Sequence, residues 1–199
     1  MDTGQARGRA LGYLDAAAQT MTSLTEACLD DILAAAEILV TSFRAGGALL
    51  ICGNGGSAAD AQHLATEFVS TLTLDHPRPP MRAIALTTDS SALTAIANDF
   101  GVERMFARQV EAIGDPGDVL LAISTSGNSV NVLAAAESAA GRSMRVIALT
   151  GASGGRLAPM ADVAVTVPSV ETAHIQECHL AIEQLLALLA ERELYPDAT

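Results

Sequence analysis

His63 and Glu67 stand four residues apart in the segment ICGNGGSAADAQHLATEF (residues 51–68), directly after a cluster of glycines. Positions i and i+4 of a helix are about 40° apart around its axis and one turn apart along it, so both side chains can face one ion or one reacting atom. Imidazole nitrogen and carboxylate oxygen are both metal ligands. The same spacing also serves an exposed pair on a helix face, so on spacing alone a metal site and a surface pair both stay open. Ahead of the pair, the apolar run ALLIC (48–52) and the helix-compatible stretch SAADAQHLATEFV (57–69) predict a strand, a glycine-rich turn and a helix. Such a turn leaves the first N–H groups of the helix free at the positive end of its dipole, where an anion is stabilised. Gly55 and Gly56 would let a ligand approach the backbone, and Ser57 either caps the helix or offers its hydroxyl. The G-x-x-x-x-G-K-[ST] and G-x-G-x-x-G spacings are absent, which leaves an ordinary capped turn as the alternative.

A second segment, DVLLAISTSGNSVNVLAAAESAA (118–140), repeats this plan of buried strand, small-residue loop and alanine-rich helix. Its loop gathers four hydroxyls, those of Ser124, Thr125, Ser126 and Ser129, beside the N–H groups of Gly127 and Asn128. Doubly wound sheets bind ligands at the carboxyl ends of their strands, so this loop can cradle a phosphate without Arg or Lys. Serine and threonine also populate turns and caps for purely local reasons.

Five apolar runs of strand length recur: ALLIC, RAIALT, DVLLAIS, RVIALT and DVAVTV. With helical stretches between them they predict an α/β fold, a five-stranded parallel sheet covered on both faces. Two helices are expected to open the chain, near residues 5–20 and 23–45, the second stopped by Gly46 and Gly47; a long last helix is expected over 171–193. DHPRPPM (75–81) cannot be helical and reads as a loop within one domain spanning 1–199.

The aromatic content of 3% calls for aliphatic packing between helices and strands. A formal charge of −12, from 11 basic and 23 acidic residues, would repel nucleic acid and anionic membranes, so neither is expected as a partner. Cys28, Cys52 and Cys178 lack metal-ligand spacing and read as reduced core thiols, which fits a cytoplasmic protein. No signal-peptide pattern and no run of 18 apolar residues is present.

Taken together and in order, CGNGGSAADAQH, AIAND, AISTSGNS and HIQECH resemble the sugar isomerase (SIS) domain, specifically the phosphoheptose isomerase family, over nearly the whole chain. The resemblance implies a three-layer sandwich around a five-stranded parallel sheet and a homotetramer with active sites at subunit interfaces, residues 1–46 serving oligomer packing. It also implies isomerisation of sedoheptulose 7-phosphate to D-glycero-D-manno-heptose 7-phosphate through an enediol, toward nucleotide-activated heptose. On the family's pattern, substrate contacts fall on Asn54, Gly55, Gly56, Ser57, Glu67, Asn98, Asp99, Ser124, Thr125, Ser126, Ser129 and Gln176. For Asn98 and Asp99 the local alternative is a turn in ANDFG. One zinc ion per subunit is implied at His63, Glu67, Gln176 and the position of Gln184, with Glu67 as base and position 184 as the second catalytic group. The family has histidine where this chain has Gln184, and an amide neither shuttles protons nor binds zinc as well as imidazole. His179 and Glu183 are nearby stand-ins, and helix geometry puts His179 on the side of Gln176. A non-catalytic relative that associates with the bacterial replication initiator is the alternative; retention of Glu67 favours the enzyme.

Overall fold

The computed structural model describes residues 2–196. Two helices, α1 (Thr3–Ala27) and α2 (Leu29–Arg44), lead into β1 (Leu49–Gly53) and α3 (Gly56–Val69). There follow β2 (Ala83–Ala85), α4 (Ser90–Phe100), α5 (Ala107–Ile113), β3 (Val119–Ser124), α6 (Val130–Gly141), β4 (Arg145–Thr150), β5 (Val163–Thr166) and α7 (Thr172–Leu194). All five apolar runs are strands, paired in parallel in the order β2-β1-β3-β4-β5. The two opening helices and the last one are present as expected, but α1 runs on to Ala27 and the break falls at Cys28, not at 21–22; Gly46, at φ 82°, follows the end of α2 in a conformation that favours glycine.

Alternation along the strands divides the core. Leu49, Ile51, Val119, Leu121, Ile123, Ile147 and Leu149 pack with α2, α3 and α7, while Leu50, Cys52, Leu120, Ala122, Val146 and Ala148 pack with α5 and α6. Strands buried on both faces must be apolar at every position, which is why they read as continuous runs. This gives a three-layer α/β sandwich.

The strand order places the site. From β1 the chain crosses through α3 to β2 on one side, and from β3 it crosses through α6 to β4 on the other. α3 and α6 therefore lie on opposite faces, and the neighbouring carboxyl ends of β1 and β3 open a crevice between them, where open parallel sheets bind ligands.

Candidate active site at the switch point of the sheet

The glycine-rich loop after β1 and the hydroxyl-rich loop after β3 form the two lips of this crevice. Gly55 adopts φ 57° and is the N-cap of α3. Ser57, expected as a possible cap, lies inside the first turn and is 3% exposed; the sharp turn at Gly55 has already taken the cap position. A Cβ on Gly56 would meet the side-chain amide of Gln176 at 2.5 Å, so only glycine lets that amide of α7 lie over the start of α3. Asp2 and Asp89 cap α1 and α4 with their carboxylates, whereas the N-cap residues of α3 and α6 make no such bond; in the first turn of α6 the Val132 N–H has a side-chain acceptor, Asn131 Oδ1. The first N–H groups of α3, and those of α6 ahead of Val132, are available to an anionic ligand.

In the second lip, Ser124 Oγ donates to Ser129 Oγ at 3.1 Å, and the Asn128 N–H donates to Ser126 Oγ at 3.1 Å. Gly127 sits at φ 64° and leaves no room for a Cβ against Gly154 and Gly155 of the β4–β5 loop. That loop therefore backs the hydroxyl loop closely. Thr125, Ser126 and Asn128 share a cleft of about 290 Å³ with Ser153, Ser169 and Thr172, three hydroxyl residues from outside the motif. Nothing in their local sequence marks them, because packing brings them there from the β4–β5 loop (Ser153), the connection after β5 (Ser169) and the start of α7 (Thr172).

On α3, His63 Nε2 and Glu67 Oε1 are 3.4 Å apart, with the Glu67 side chain 16% exposed. Two ligands each about 2.0–2.1 Å from a tetrahedral zinc ion stand roughly 3.3 Å from one another, so this pair fits a shared ion. The Gln184 amide of α7 meets His63 Nε2. His63, Glu67 and Gln184 are thus brought together, while Gln176 lies at Gly56, two turns nearer the start of α3. Among the described residues no three His, Cys, Asp or Glu side chains converge, so an ion here would draw its remaining donors from the amide oxygens.

His179 does not face this group. It is fully buried, with Nε2 3.1 Å from the Thr150 carbonyl oxygen at the end of β4, and burial pushes it down to about 4. Helix geometry placed it beside Gln176, but the core claims it instead. Glu183 is also fully buried, with neither carboxyl oxygen hydrogen-bonded, and burial, then the Asp60 carboxylate, pushes it up to about 9. Asn98 and Asp99 lie exposed at the end of α4, Asn98 donating to Asp99 at 2.8 Å.

Two residues unmarked in the sequence organise the site. Asn131, at the start of α6, is hydrogen-bonded to Asn54. Arg78, in the proline-rich loop, donates from Nη2 to the Glu67 carbonyl oxygen at 2.6 Å and from Nη1 to that of Phe68 at 2.8 Å, capping the end of the helix that carries Glu67.

Comparison with known proteins agrees with this geometry. The SIS domain family matches residues 12–151. A phosphoheptose isomerase from Thiobacillus denitrificans is 54% identical over 175 residues, covering 86% of this chain and 88% of its own. Among solved structures, a phosphoheptose isomerase from Neisseria gonorrhoeae superposes with TM-score 0.88 at 41% identity, over 93% of this chain and 98% of its own. One from Francisella tularensis superposes with TM-score 0.90 at 38% identity, over 94% and 98%.

Proposed function

Because this chain belongs to the phosphoheptose isomerase family of SIS-domain proteins, we propose that it converts sedoheptulose 7-phosphate to D-glycero-D-manno-heptose 7-phosphate by ketose–aldose isomerisation. It is an isomerase, and its substrate is a sugar phosphate. The observation that carries the mechanism is the placement of Glu67 beside His63, 3.4 Å apart and one turn apart on α3, the helix that starts at the crevice between β1 and β3.

The substrate's phosphate is held by the hydroxyls of Ser124, Thr125, Ser126 and Ser129 and by the first-turn amides of α6 ahead of Val132, whose own N–H goes to Asn131. Neutral donors suffice for this, which reconciles an anionic substrate with a chain of net charge −12. Asn54, the backbone of Gly55, Gly56 and Ser57, and Gln176 meet the sugar, and Asn98 and Asp99 supply contacts to its hydroxyls. Glu67 takes the proton from carbon 1, leaving an enediolate; the hydroxyl proton of oxygen 1 passes to oxygen 2, and Glu67 returns its proton to carbon 2, which leaves the aldehyde at carbon 1. A single carboxylate can perform both transfers where water is kept out.

His63 Nε2 and Glu67 Oε1 would hold a zinc ion with the amide oxygens of Gln184 and Gln176, the latter after leaving Gly56; bound zinc would polarise the carbonyl or its neighbouring hydroxyl. Gln184 has no proton to give at neutral pH; its amide N–H meets His63 Nε2, and with zinc bound its oxygen would turn to the metal, so its part is to position groups and not to transfer protons.

Leu11 and Leu14 of α1, Leu29 and Leu33 of α2, and Leu180 and Leu188 of α7 are exposed, which supports helical packing between copies in a homotetramer using residues 1–46. No helix among the described residues is long and apolar enough to cross a membrane. A cytoplasmic enzyme without nucleic-acid or membrane partners is consistent with the charge. The non-catalytic alternative, association with a replication initiator, gains no support from the relatives above, which are named as isomerases.

The test is incubation of the purified protein with sedoheptulose 7-phosphate and added zinc, with metal analysis in parallel. The aldose product and one zinc per subunit, lost in His63→Ala, are expected. A protein that stays free of metal in excess zinc would remove the ion from the mechanism, and absence of the aldose would remove the reaction.

A further inference from the structure

Asn131 is 5% exposed and pairs reciprocally with Asn54: Asn54 Nδ2 donates to Asn131 Oδ1 at 2.8 Å, and Asn131 Nδ2 donates back to Asn54 Oδ1 at 2.8 Å. Asn131 Oδ1 also accepts the Val132 N–H at 3.0 Å, which ties the pair to the first turn of α6. Asn54 stands directly before the Gly55 turn that starts α3, and Asn131 stands two residues after Ser129 of the hydroxyl loop. No other side-chain hydrogen bond joins the two loops among the described residues. A double amide contact fixes orientation as well as separation, since each planar group must both donate and accept.

We infer that Asn131 is a positioning residue: through Asn54 it sets the spacing between the loop that holds the phosphate and the loop that starts the helix carrying Glu67. Resting on the isomerase function above, this role belongs to neither loop alone. A substrate anchored by its phosphate reaches Glu67 only if the lips of the crevice keep their distance, and a misplacement of about 1 Å can cost about 100-fold in rate. Each Asn keeps one N–H and one lone pair beyond the pair itself, so Asn54 can contact the sugar while Asn131 holds it.

The test compares the unmodified protein with Asn131→Ala and Asn131→Asp in steady-state kinetics, and titrates each calorimetrically with inorganic phosphate and with sedoheptulose 7-phosphate. Asn131→Ala is expected to lower kcat about 10- to 100-fold while its affinity for inorganic phosphate stays within threefold. Asn131→Asp keeps the acceptor for Asn54 Nδ2 and for Val132 but loses the return donor, so its kcat should fall between the two. Adding Asn131→Ala to Asn54→Ala should cost less than a further threefold, since Asn131 acts through Asn54. A kcat within twofold of the unmodified protein, or full multiplication of the two single effects, would overturn the role. Should the alanine variant fail to fold by circular dichroism, the aspartate variant decides by the same criteria. Should the unmodified protein not isomerise the sugar, the calorimetry decides. Selective loss of sugar-phosphate affinity in Asn131→Ala then supports the positioning role, and equal loss for both ligands overturns it.

Discussion

Replacing Arg78 by methionine should destabilise the protein strongly, and the size of the effect follows from its surroundings. The Arg78 and Glu191 side chains are 0% and 2% exposed, with Arg78 Nη2 3.3 Å from Glu191 Oε2, which also accepts the Leu72 N–H at 3.0 Å. Methionine fills much of the space but leaves the Glu191 carboxylate buried without a counter-charge, a loss of about 3–5 kcal/mol. It also uncaps the carbonyls of Glu67 and Phe68 at the end of α3. For a chain of this length each kcal/mol moves the thermal midpoint by about 2–4 °C, so a drop on the order of 10 °C is expected by circular dichroism at fixed protein concentration. Replacing Glu191 by methionine as well should restore about half of the loss or more, because a buried ion pair exchanged for apolar groups of similar volume is often near neutral. A single variant within about 1 kcal/mol of the unmodified protein, or a double variant worse than the single, would refute the assignment.

Glu183 gives a pH signature. Its folded value of about 9 lies above the unfolded carboxyl range, so the stability it lends is complete at low pH and is lost as pH rises toward 9. Glu183→Gln should therefore gain about 4 kcal/mol on the unmodified protein between pH 5 and pH 8 in urea unfolding, and a gap that does not change with pH would refute this. The double replacement Ser124→Ala with Ser126→Ala should weaken sugar-phosphate binding about tenfold with the fold intact, and an unchanged dissociation constant would remove the hydroxyl loop from the phosphate site. Gln184→His should raise kcat by about 10²- to 10⁴-fold and tighten zinc, with little effect on substrate affinity. Equal activity in both forms would show that position 184 takes no part in proton transfer.

Much of the fold was legible because burial on both faces writes itself into a strand as an unbroken apolar run, and even three-residue β2 was marked by RAIALT. The two loops were legible as the ends of such runs, because glycines and hydroxyls cluster where a strand stops; their ligand was not, since the same residues make ordinary turns and caps. Ser57 was harder, because a serine after glycines looks like a cap until the positive φ of Gly55 is known. His179 illustrates a second limit. Helix periodicity put it on the side of Gln176, but a few tens of degrees of rotation decide whether a side chain faces the crevice or the Thr150 carbonyl. Asn131 and Arg78 could not have been found locally, since an asparagine opening a helix and an arginine among prolines are ordinary. Their partners Asn54 and Glu191 are 77 and 113 residues away.

In the proposed isomerisation Glu67 moves the proton between carbons 1 and 2 of the bound sugar phosphate. The most direct test of this step is conversion of sedoheptulose 7-phosphate followed by NMR for the unmodified protein and for Glu67→Gln, which keeps the shape of the side chain and removes the base. The aldose 7-phosphate should form with the unmodified protein, and its rate should fall by about 10²- to 10⁴-fold in the variant while calorimetry still detects substrate binding. Conversion by Glu67→Gln at a rate near that of the unmodified protein would remove Glu67 from the proton transfer.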